Sequence, residues 1–406
     1  MTLSFAPQVL PLLPDIRRRF VGSMPTWGDV ATNEVVTFVA RRAREVAVAP
    51  FTLVDPSGSC PDDIRKFSAG RTVLVPEARI TLLRKARVCG NGLIATADHQ
   101  LLDESCIRQH HAYPMPSGSI DVRNTKPVAM TTKRIKEPTI ILNGVFGLHF
   151  SHWTYDNLSR LTFVLEQLRS FKGYRIAVGF GTRRGGWCKP GTTQFASLSM
   201  LGFAKDDIVM VPEHDWYEFD QAIAVSEVNN FLPPTGRIWN APEIFGFYGE
   251  IFERAGLARR ARSRRVNLSR IDDNKRKCTN ESEVIAATTA RGFEHRTMAG
   301  VPLAEQMQFF SDIDVAVGPV GNNLLTLFAM QKGAKLVTFF PATGSYIMAY
   351  YQNFCSALGV ELYALCGSRE WWEGQPNVLN NLRWEVDVDS LTQLVDLACS
   401  APVHSG

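Results

Sequence analysis

Short apolar runs alternate with longer stretches of helical periodicity from residue 137 onward. In a first block the predicted strands are 139–142, 175–178 and 207–211, and the predicted helices are 154–170 and 194–202. In a second block the predicted strands are 265–268, 315–317, 336–340 and 361–365, and the predicted helices are 280–291, 303–310, 323–331 and 346–358. Because strands that alternate with helices form parallel sheets, the pattern predicts an α/β protein with two sheet domains.

The first 135 residues follow a different pattern. Short β-like pieces are separated by Pro, Gly and Ser clusters, and the polar stretch 121–136 is expected to be a long loop. We place this β-rich portion, whose role is unassigned, in an N-terminal domain of residues 1–235. The proline-containing stretch 230–236 is the best linker candidate, so a C-terminal domain would cover 236–406. Two sheet domains facing each other across a cleft would suit the binding of two substrates.

Composition indicates an ordinary globular protein. Of 406 residues 45% are hydrophobic and 21% charged, and a net charge of +4 is too small to indicate nucleic-acid binding by itself. The eight cysteines form no Cys-x-x-Cys pair, which argues against a zinc site or a compact disulfide scaffold and favours a reducing cytoplasm. No apolar run reaches the roughly 18 residues of a spanning helix. We expect a protein that is soluble or attached only peripherally to the inner face of a membrane.

The segment Ile313–Thr326 holds the most informative motif, a Gly-Pro-Val-Gly turn after a short apolar strand. Backbone amides at a turn between strand and helix favour anions such as phosphates. Gly318 and Gly321 would let a ligand approach the main chain, and Asn322 or Asn323 would begin the helix. The alternative is that these Gly and Asn residues serve turn geometry only.

A basic segment upstream of this turn supplies candidate anion ligands. Arg270 follows a predicted strand end, where open α/β sheets bind ligands, and Arg276 comes shortly after it. Thr279 or Asn280 is a candidate helix cap, and Glu281 would complement the helix dipole. Helix electrostatics explain the glutamate equally well, and the basic run could instead be a solvated face or contact anionic lipid. Nucleic acid is a poor candidate, because no aromatic residues alternate with these arginines.

The sequence offers no convincing metal site. No Asp-x-Asp pair follows a predicted strand, and the adjacent pairs Asp206-Asp207 and Asp272-Asp273 are predicted to be turn residues. Arginines and helix dipoles would have to neutralise a diphosphate leaving group instead, so we expect neither metal nor cofactor.

His152 and Asp156 are candidates for general-base catalysis. They stand four residues apart, so a helix would place them on one face. A carboxylate beside an imidazole orients the ring and raises its basicity. The alternative is a helix start with a buried Trp153 and a histidine whose hydrogen bond is only structural.

Taken in order, these segments resemble glycosyltransferase family 61, the DUF563 group, over about residues 140–370. The resemblance rests on His-Trp-x-x-Asp-x-Leu-x-Arg-Leu at 152–161, Ser269-Arg270, Arg-x-x-x-Asn-Glu at 276–281, Gly292-Phe293, Leu-x-Glu-Gln at 303–306, the Gly-Pro-x-Gly turn, and Gly-Ala-Lys-Leu-Val at 333–337 followed by Pro341. No single block is specific, but the ordered set is. The family includes capsular polysaccharide enzymes of bacteria.

The resemblance implies a GT-B-like architecture of two Rossmann-like domains, with a nucleotide-sugar donor held by the C-terminal domain. It also implies inversion at the anomeric carbon and usually no metal. One departure concerns the turn, which in the family usually reads Gly-Pro-His-Gly-Ala-Gly-Leu. Here Val320 replaces the His, and Asn322-Asn323 replace Ala-Gly. Any role of that His is absent, and donor preference could have changed with it.

We therefore interpret the sequence as an inverting glycosyltransferase that uses a nucleotide sugar and a glycan or glycolipid acceptor in cell-surface polysaccharide biosynthesis. His152 or Asp156 is expected to be the base. The expected donor-binding residues are Arg270, Arg276, Asn280, Glu281, Gly318, Gly321, Asn322 and Asn323. Two alternatives stay open: another polysaccharide-modifying transferase, such as a pyruvyl transferase, and a catalytically silent glycan- or nucleotide-binding protein.

Overall fold

The computed structural model of the protein describes residues 9–11, 18–21, 23–31, 34–102, 119–121, 126–142, 150–180, 192–230, 238–273, 275–343, 346–374 and 381–401. The fold is mixed α/β, as the alternating pattern predicts. It divides into two compact units, Met1–Arg44 with Pro76–Asn229 and Glu45–Val75 with Asn230–Gly406. No helix in the described ranges is long and apolar enough to cross a membrane.

The observed units differ from the predicted division at residue 235, because the early segment Glu45–Val75 belongs to the second unit. Glu45–Val75 packs with the second unit because its strand Thr52–Val54 pairs in parallel with Glu361–Cys366. Gln352 also donates hydrogen bonds to two carbonyl oxygens of the segment, at 2.8 and 2.6 Å. Contacts between positions so distant in sequence cannot be inferred from a local pattern. Residues 231–236 of the predicted linker lie outside the described residues.

The first unit is built on a nine-stranded mixed sheet. Along the sheet its strands are Ile208–Pro212, Arg175–Phe180, Thr139–Ile141, Trp216–Val225, Ala78–Cys89, Val35–Arg41 and Arg18–Phe20, with Thr131–Ile135 and Ile94–Ala95 added beside Trp216–Val225 and Ala78–Cys89. Val9–Pro11 and Ser119–Asp121 form a separate pair. Its α-helices are Leu161–Leu168 and Thr193–Met200; the other helical turns are Trp27–Asp29, His152–Asn157, Leu158–Arg160 and Lys205–Asp207.

Within this sheet the predicted parallel block is present, since the strands at 139, 175 and 208 run in parallel. The earlier strand Ala78–Cys89 joins the block antiparallel, through Trp216–Val225. The loop predicted for 121–136 is wrong at Thr131–Ile135, which pairs in parallel with Trp216–Val225. Most side chains of that strand are exposed, which explains a polar sequence in a paired strand.

The second unit is built on a six-stranded sheet that is parallel throughout. In sheet order its strands are Glu294–Thr297, Arg264–Ser269, Ile313–Pro319, Lys335–Phe340, Glu361–Cys366 and Thr52–Val54. The remaining strands are Arg44–Val48 with Arg71–Val75, the three-stranded sheet Lys277–Cys278, Leu382–Glu385 and Arg369–Trp372, and the short pieces Asn229–Asn230 and Trp239–Asn240. The helices are Asp62–Ser68, Glu243–Arg254, Glu281–Thr289, Leu303–Phe310, the 3-10 helix Asn322–Ala329, Ile347–Leu358 and Val388–Ser400.

The direction of these strands determines where the loops of the second unit emerge. Arg264–Ser269 and Ile313–Pro319 are neighbours in the sheet and run the same way. The loops that follow Ser269 and Pro319 therefore leave from the same edge, side by side. On the apolar sheet face, Val315, Val317 and Val337 pack in one core cluster with Trp384.

Candidate functional site

Arg270 connects the two loops at this edge. Its Nη1 donates to the carbonyl oxygen of Val320 at 2.9 Å, and its Nη2 is paired with the Asp273 carboxylate. The Arg270 side chain is only 12% exposed. The structure thus brings Arg270 and the Gly-Pro-Val-Gly turn together and fixes the guanidinium between them.

Gly321 lies directly against Arg270. A Cβ at this position would be 2.5 Å from Nη1 and 2.8 Å from Cζ of Arg270. The φ of Gly321 is 161°, which is extended backbone, so the requirement for glycine is steric. The same glycine is bonded twice to Tyr351, whose hydroxyl accepts from the Gly321 N–H at 3.2 Å and donates to its carbonyl oxygen at 2.8 Å.

Tyr351 is a residue that sequence reasoning missed, since a tyrosine inside a predicted helix gives no sign of what its hydroxyl contacts. It is fully buried, and burial raises the pKa of its hydroxyl. Its bonds to Gly321 occupy an amide that was expected to contact an anion. The first two amides of the 3-10 helix, at Asn322 and Asn323, have no partner inside that helix.

Gly318 and Asn323 hold the turn against the neighbouring strand. A Cβ on Gly318 would lie 2.5 Å from the carbonyl oxygen of Leu268, and the Asn323 side chain donates to that same oxygen at 2.6 Å. Asn323 is buried. For Gly318 and Asn323 the contacts are those of turn geometry, whereas Asn322 is exposed.

Arg276 differs from Arg270 in having an unmatched donor. Its Nε is buried and has no hydrogen-bond partner among the described residues. Its backbone is left-handed, with φ of 50°, which is uncommon for a residue other than glycine. Trp384 stabilises this turn by donating from Nε1 to the Arg276 carbonyl oxygen at 3.0 Å.

The charge around Arg276 indicates an anion site. Burial lowers the pKa of the Arg276 guanidinium, and the positive charge of Arg270 lowers that pKa further. Arg276 as a whole is half-buried, and a buried polar donor without a partner calls for an explanation. Backbone strain and an unsatisfied donor at one residue support a functional role for it.

Asn280 and Glu281 use their polar atoms inside the protein. Glu281 is buried, and its Oε1 accepts from the Ser269 hydroxyl at 2.8 Å and the Arg270 N–H at 2.7 Å. Burial raises the pKa of Glu281, and these two hydrogen bonds offset part of the rise. The predicted cap position is confirmed, because Asn280 is the N-cap residue of Glu281–Thr289. Its side-chain amide makes no cap bond and instead pairs with both backbone groups of Val386, at 2.8 and 3.1 Å. Glu281 therefore supports the Arg270 loop, and Asn280 supports the segment at Val386.

His152 and Asp156 lie in the first unit, in the π-helical turn His152–Asn157. Nδ1 of His152 is 2.6 Å from Oδ2 of Asp156, and the two side chains are 20% and 2% exposed. Trp153 is buried and donates to the Ser197 hydroxyl at 2.9 Å. The turn thus contains both the His–Asp pair and the buried tryptophan, and π-turns are frequent at functional sites.

In the described part of the chain, no three His, Cys, Asp or Glu side chains are grouped so that they could hold a metal ion.

Replacing Tyr351 with Phe should lower the free energy of unfolding by about 1–3 kcal/mol, the cost of unsatisfied buried backbone groups at Gly321. Tyr363→Phe is the matched control, because the Tyr363 hydroxyl donates at 3.0 Å to Glu361, whose carboxylate is partly exposed and can bind water instead. Urea unfolding of both variants beside the parent gives the comparison. Equal losses of unfolding free energy in the two variants would show that the Tyr351 bonds to Gly321 stabilise the protein no more than the Tyr363 bond does.

A family model matches the part of the chain that contains the candidate site residues. Residues 150–337 match the family model described as Glycosyltransferase 61, and the match spans the His152 turn, the Arg270 loop and the Gly-Pro-Val-Gly turn. No curated protein matches the chain. Over residues 150–337, the chain is similar to glycosyltransferase family 61.

Proposed function

We propose that the protein is an inverting glycosyltransferase that moves a sugar from a nucleotide-sugar donor to a glycan or glycoconjugate acceptor in cell-surface polysaccharide biosynthesis. The family match supports glycosyltransferase activity. The observation that carries the donor class is the unmatched, buried Nε of Arg276 close to Arg270. Two guanidiniums at a sheet edge suit a diphosphate, because each can make charge-assisted hydrogen bonds to phosphate oxygens.

In the proposed reaction, the acceptor hydroxyl oxygen attacks the anomeric carbon while the bond from that carbon to the diphosphate oxygen breaks. Attack from the opposite side inverts the configuration. The negative charge that develops on the leaving nucleoside diphosphate is stabilised by Arg270 and Arg276. Their charge takes the part that a divalent ion plays in metal-dependent transfer, so the proposal includes neither metal nor cofactor.

We assign His152 as the general base that accepts the proton of the acceptor hydroxyl. Its Nδ1 faces the Asp156 carboxylate, so Nδ1 carries the hydrogen and Nε2 carries the lone pair. Asp156, at 2% exposure, is too buried to meet an acceptor, whereas His152 is 20% exposed. The sequence left His152 and Asp156 as alternative bases. We propose His152 as the base and Asp156 as the residue that orients its ring.

We propose that each unit acts on one of the two substrates. The second unit, with its parallel sheet and arginine loop, would bind the donor, and the first unit, with His152, would act on the acceptor. A GT-B organisation of two Rossmann-like domains and a cytoplasmic location belong to the same proposal.

Release of free nucleotide from UDP-, GDP- and CMP-sugars tests the proposed activity. Turnover with a UDP- or GDP-sugar supports it, and CMP-sugars, which carry one phosphate, should be poorer donors. Binding without turnover would favour the silent binding protein. Neither binding nor turnover with any of these donors would contradict the proposal.

Replacing Arg270 and replacing Arg276 should both weaken nucleotide binding, but the two replacements should differ in their effect on stability. Arg276→Ala should bind UDP or GDP about ten-fold or more weakly, since a charge-assisted bond contributes about 1.5–3 kcal/mol, and should unfold no more easily than the parent. Arg270→Ala should lose affinity and also stability, because it joins two loops. Arg291→Ala is the control of equal charge, being paired with Asp396 at 2.9 Å. Calorimetry in which all three variants bind like the parent would remove both arginines from the site.

His152→Ala should lower turnover by about 100-fold or more, the lower range of general-base assistance, and Asp156→Asn should lower it less. Nucleotide affinity should hardly change in either variant, because both residues lie in the first unit. Melting temperature is measured beside the rate, with Thr154→Val as a control that removes a structural bond from the same turn. Variants that melt earlier but keep the parent rate per folded molecule would make the His–Asp pair structural.

Activity should survive metal removal. In excess EDTA the rate with the best donor should stay near that of untreated protein, because guanidinium charge stabilises the leaving group. Complete loss that Mg²⁺ or Mn²⁺ restores would contradict this part of the proposal.

A further inference from the structure

Asp273 is the carboxylate that pairs with Arg270. Nη2 of Arg270 bonds Oδ2 of Asp273, while Oδ1 accepts from the Lys275 N–H at 2.9 Å. The Asp273 side chain is 39% exposed, against 12% for Arg270. The guanidinium is held in place by Val320, and the carboxylate lies on the solvent side of it, on a short loop. Of the two partners, the carboxylate is the one that can move away.

The negative charge of Asp273 acts on both arginines. Burial raises the pKa of Asp273, but the hydrogen bond from Arg270, the bond from the Lys275 N–H and the charges of Arg270 and Lys275 together hold that pKa below its ordinary value. Burial lowers the pKa of Arg276, and the charge of the same carboxylate offsets part of that fall, although the two make no ion pair among the described residues. One carboxylate thus acts on two guanidiniums and bonds only one of them.

We propose that the Asp273 carboxylate occupies the place of a donor phosphate on Arg270 when no donor is bound, and that the donor diphosphate displaces it. The inference rests on the proposed function, because it concerns the same arginine pair. A diphosphate exchanges one ion pair for two, since it can bond Arg276 as well as Arg270. An anion that reaches Arg270 alone gains nothing from the exchange. Asp273 therefore raises the affinity that any anion needs at Arg270, and a diphosphate gains that affinity by bonding Arg276 as well.

Calorimetry with inorganic pyrophosphate, and separately with orthophosphate, tests this on the full chain. The key variant is Asp273→Asn, and the control is Asp272→Asn, which removes the same charge one residue away from an exposed side chain. Removing the competing charge-assisted bond should tighten pyrophosphate binding by about ten-fold. The control should change it only about two-fold, through screened long-range charge. Orthophosphate must displace the same carboxylate to reach Arg270, so Asp273→Asn should tighten its binding as well, and the control should not.

Stability gives a second readout of the same exchange. Without ligand, Asp273→Asn should melt below the parent because both guanidiniums lose their counter-charge. With saturating pyrophosphate, its gain in melting temperature should exceed that of the parent, since binding shifts apparent stability in proportion to affinity. If the Asn variant does not fold, Asp273→Ser keeps an acceptor for the Lys275 N–H and takes its place.

The outcomes separate this inference from the proposed function. Asp273→Asn that binds pyrophosphate no more tightly than Asp272→Asn would overturn the displacement, and weaker binding would show that Asp273 orients Arg270 for the ligand. If Arg276→Ala loses pyrophosphate in that same experiment, the donor site stands and only the displacement fails. Absence of pyrophosphate binding in every protein, Asp273→Asn included, would overturn both.

Discussion

The bond from Arg270 to the carbonyl oxygen of Val320 joins loops that follow neighbouring parallel strands, and the rest of the candidate donor site is arranged around it. Gly321 must lack a side chain because the guanidinium fills that space. Tyr351 fixes Gly321, and Glu281 fixes the backbone of Arg270. The contacts of Arg270 with Val320 and Gly321 would not exist if the two strands ran in opposite directions, since their loops would then leave from opposite edges.

Local pattern was sufficient for four of the six strands of the second sheet, but not for Glu294–Thr297 or Thr52–Val54. The strand predicted at 265–268 is Arg264–Ser269, where Val266 and Leu268 alternate with polar residues as is typical of a strand. Thr52–Val54 joins the same sheet from the far end of the chain, and polar Thr131–Ile135 is a strand only because Trp216–Val225 pairs with it. Such pairings depend on the neighbour, about which the segment's own residues carry no information.

The sequence predicts a candidate site at a strand end but does not distinguish the roles of its residues. Polar residues after a strand end are compatible with ligand contact and with loop support, and only their partners distinguish the two. Glu281 and Asn280 turned out to bond backbone groups, whereas Arg276 keeps an unmatched donor. The Val320 replacement has a simple consequence. Its side chain is buried, and the contact to Arg270 is made by its carbonyl oxygen, which any residue provides.

The two arginines illustrate why a site can be prepared without being fully satisfied. Arg270 is oriented before any ligand arrives, so a ligand has to displace the Asp273 carboxylate but does not have to reorganise the guanidinium, and fixed donors of this kind stabilise developing charge most effectively. A second internal anion on Arg276 would relieve its burial cost but would also have to be removed by every ligand. Because Arg276 has no ion-pair partner in the described part of the chain, an incoming anion can bond it without displacing another group. The left-handed backbone and the Trp384 bond at Arg276 are the structural cost of holding such a residue in position.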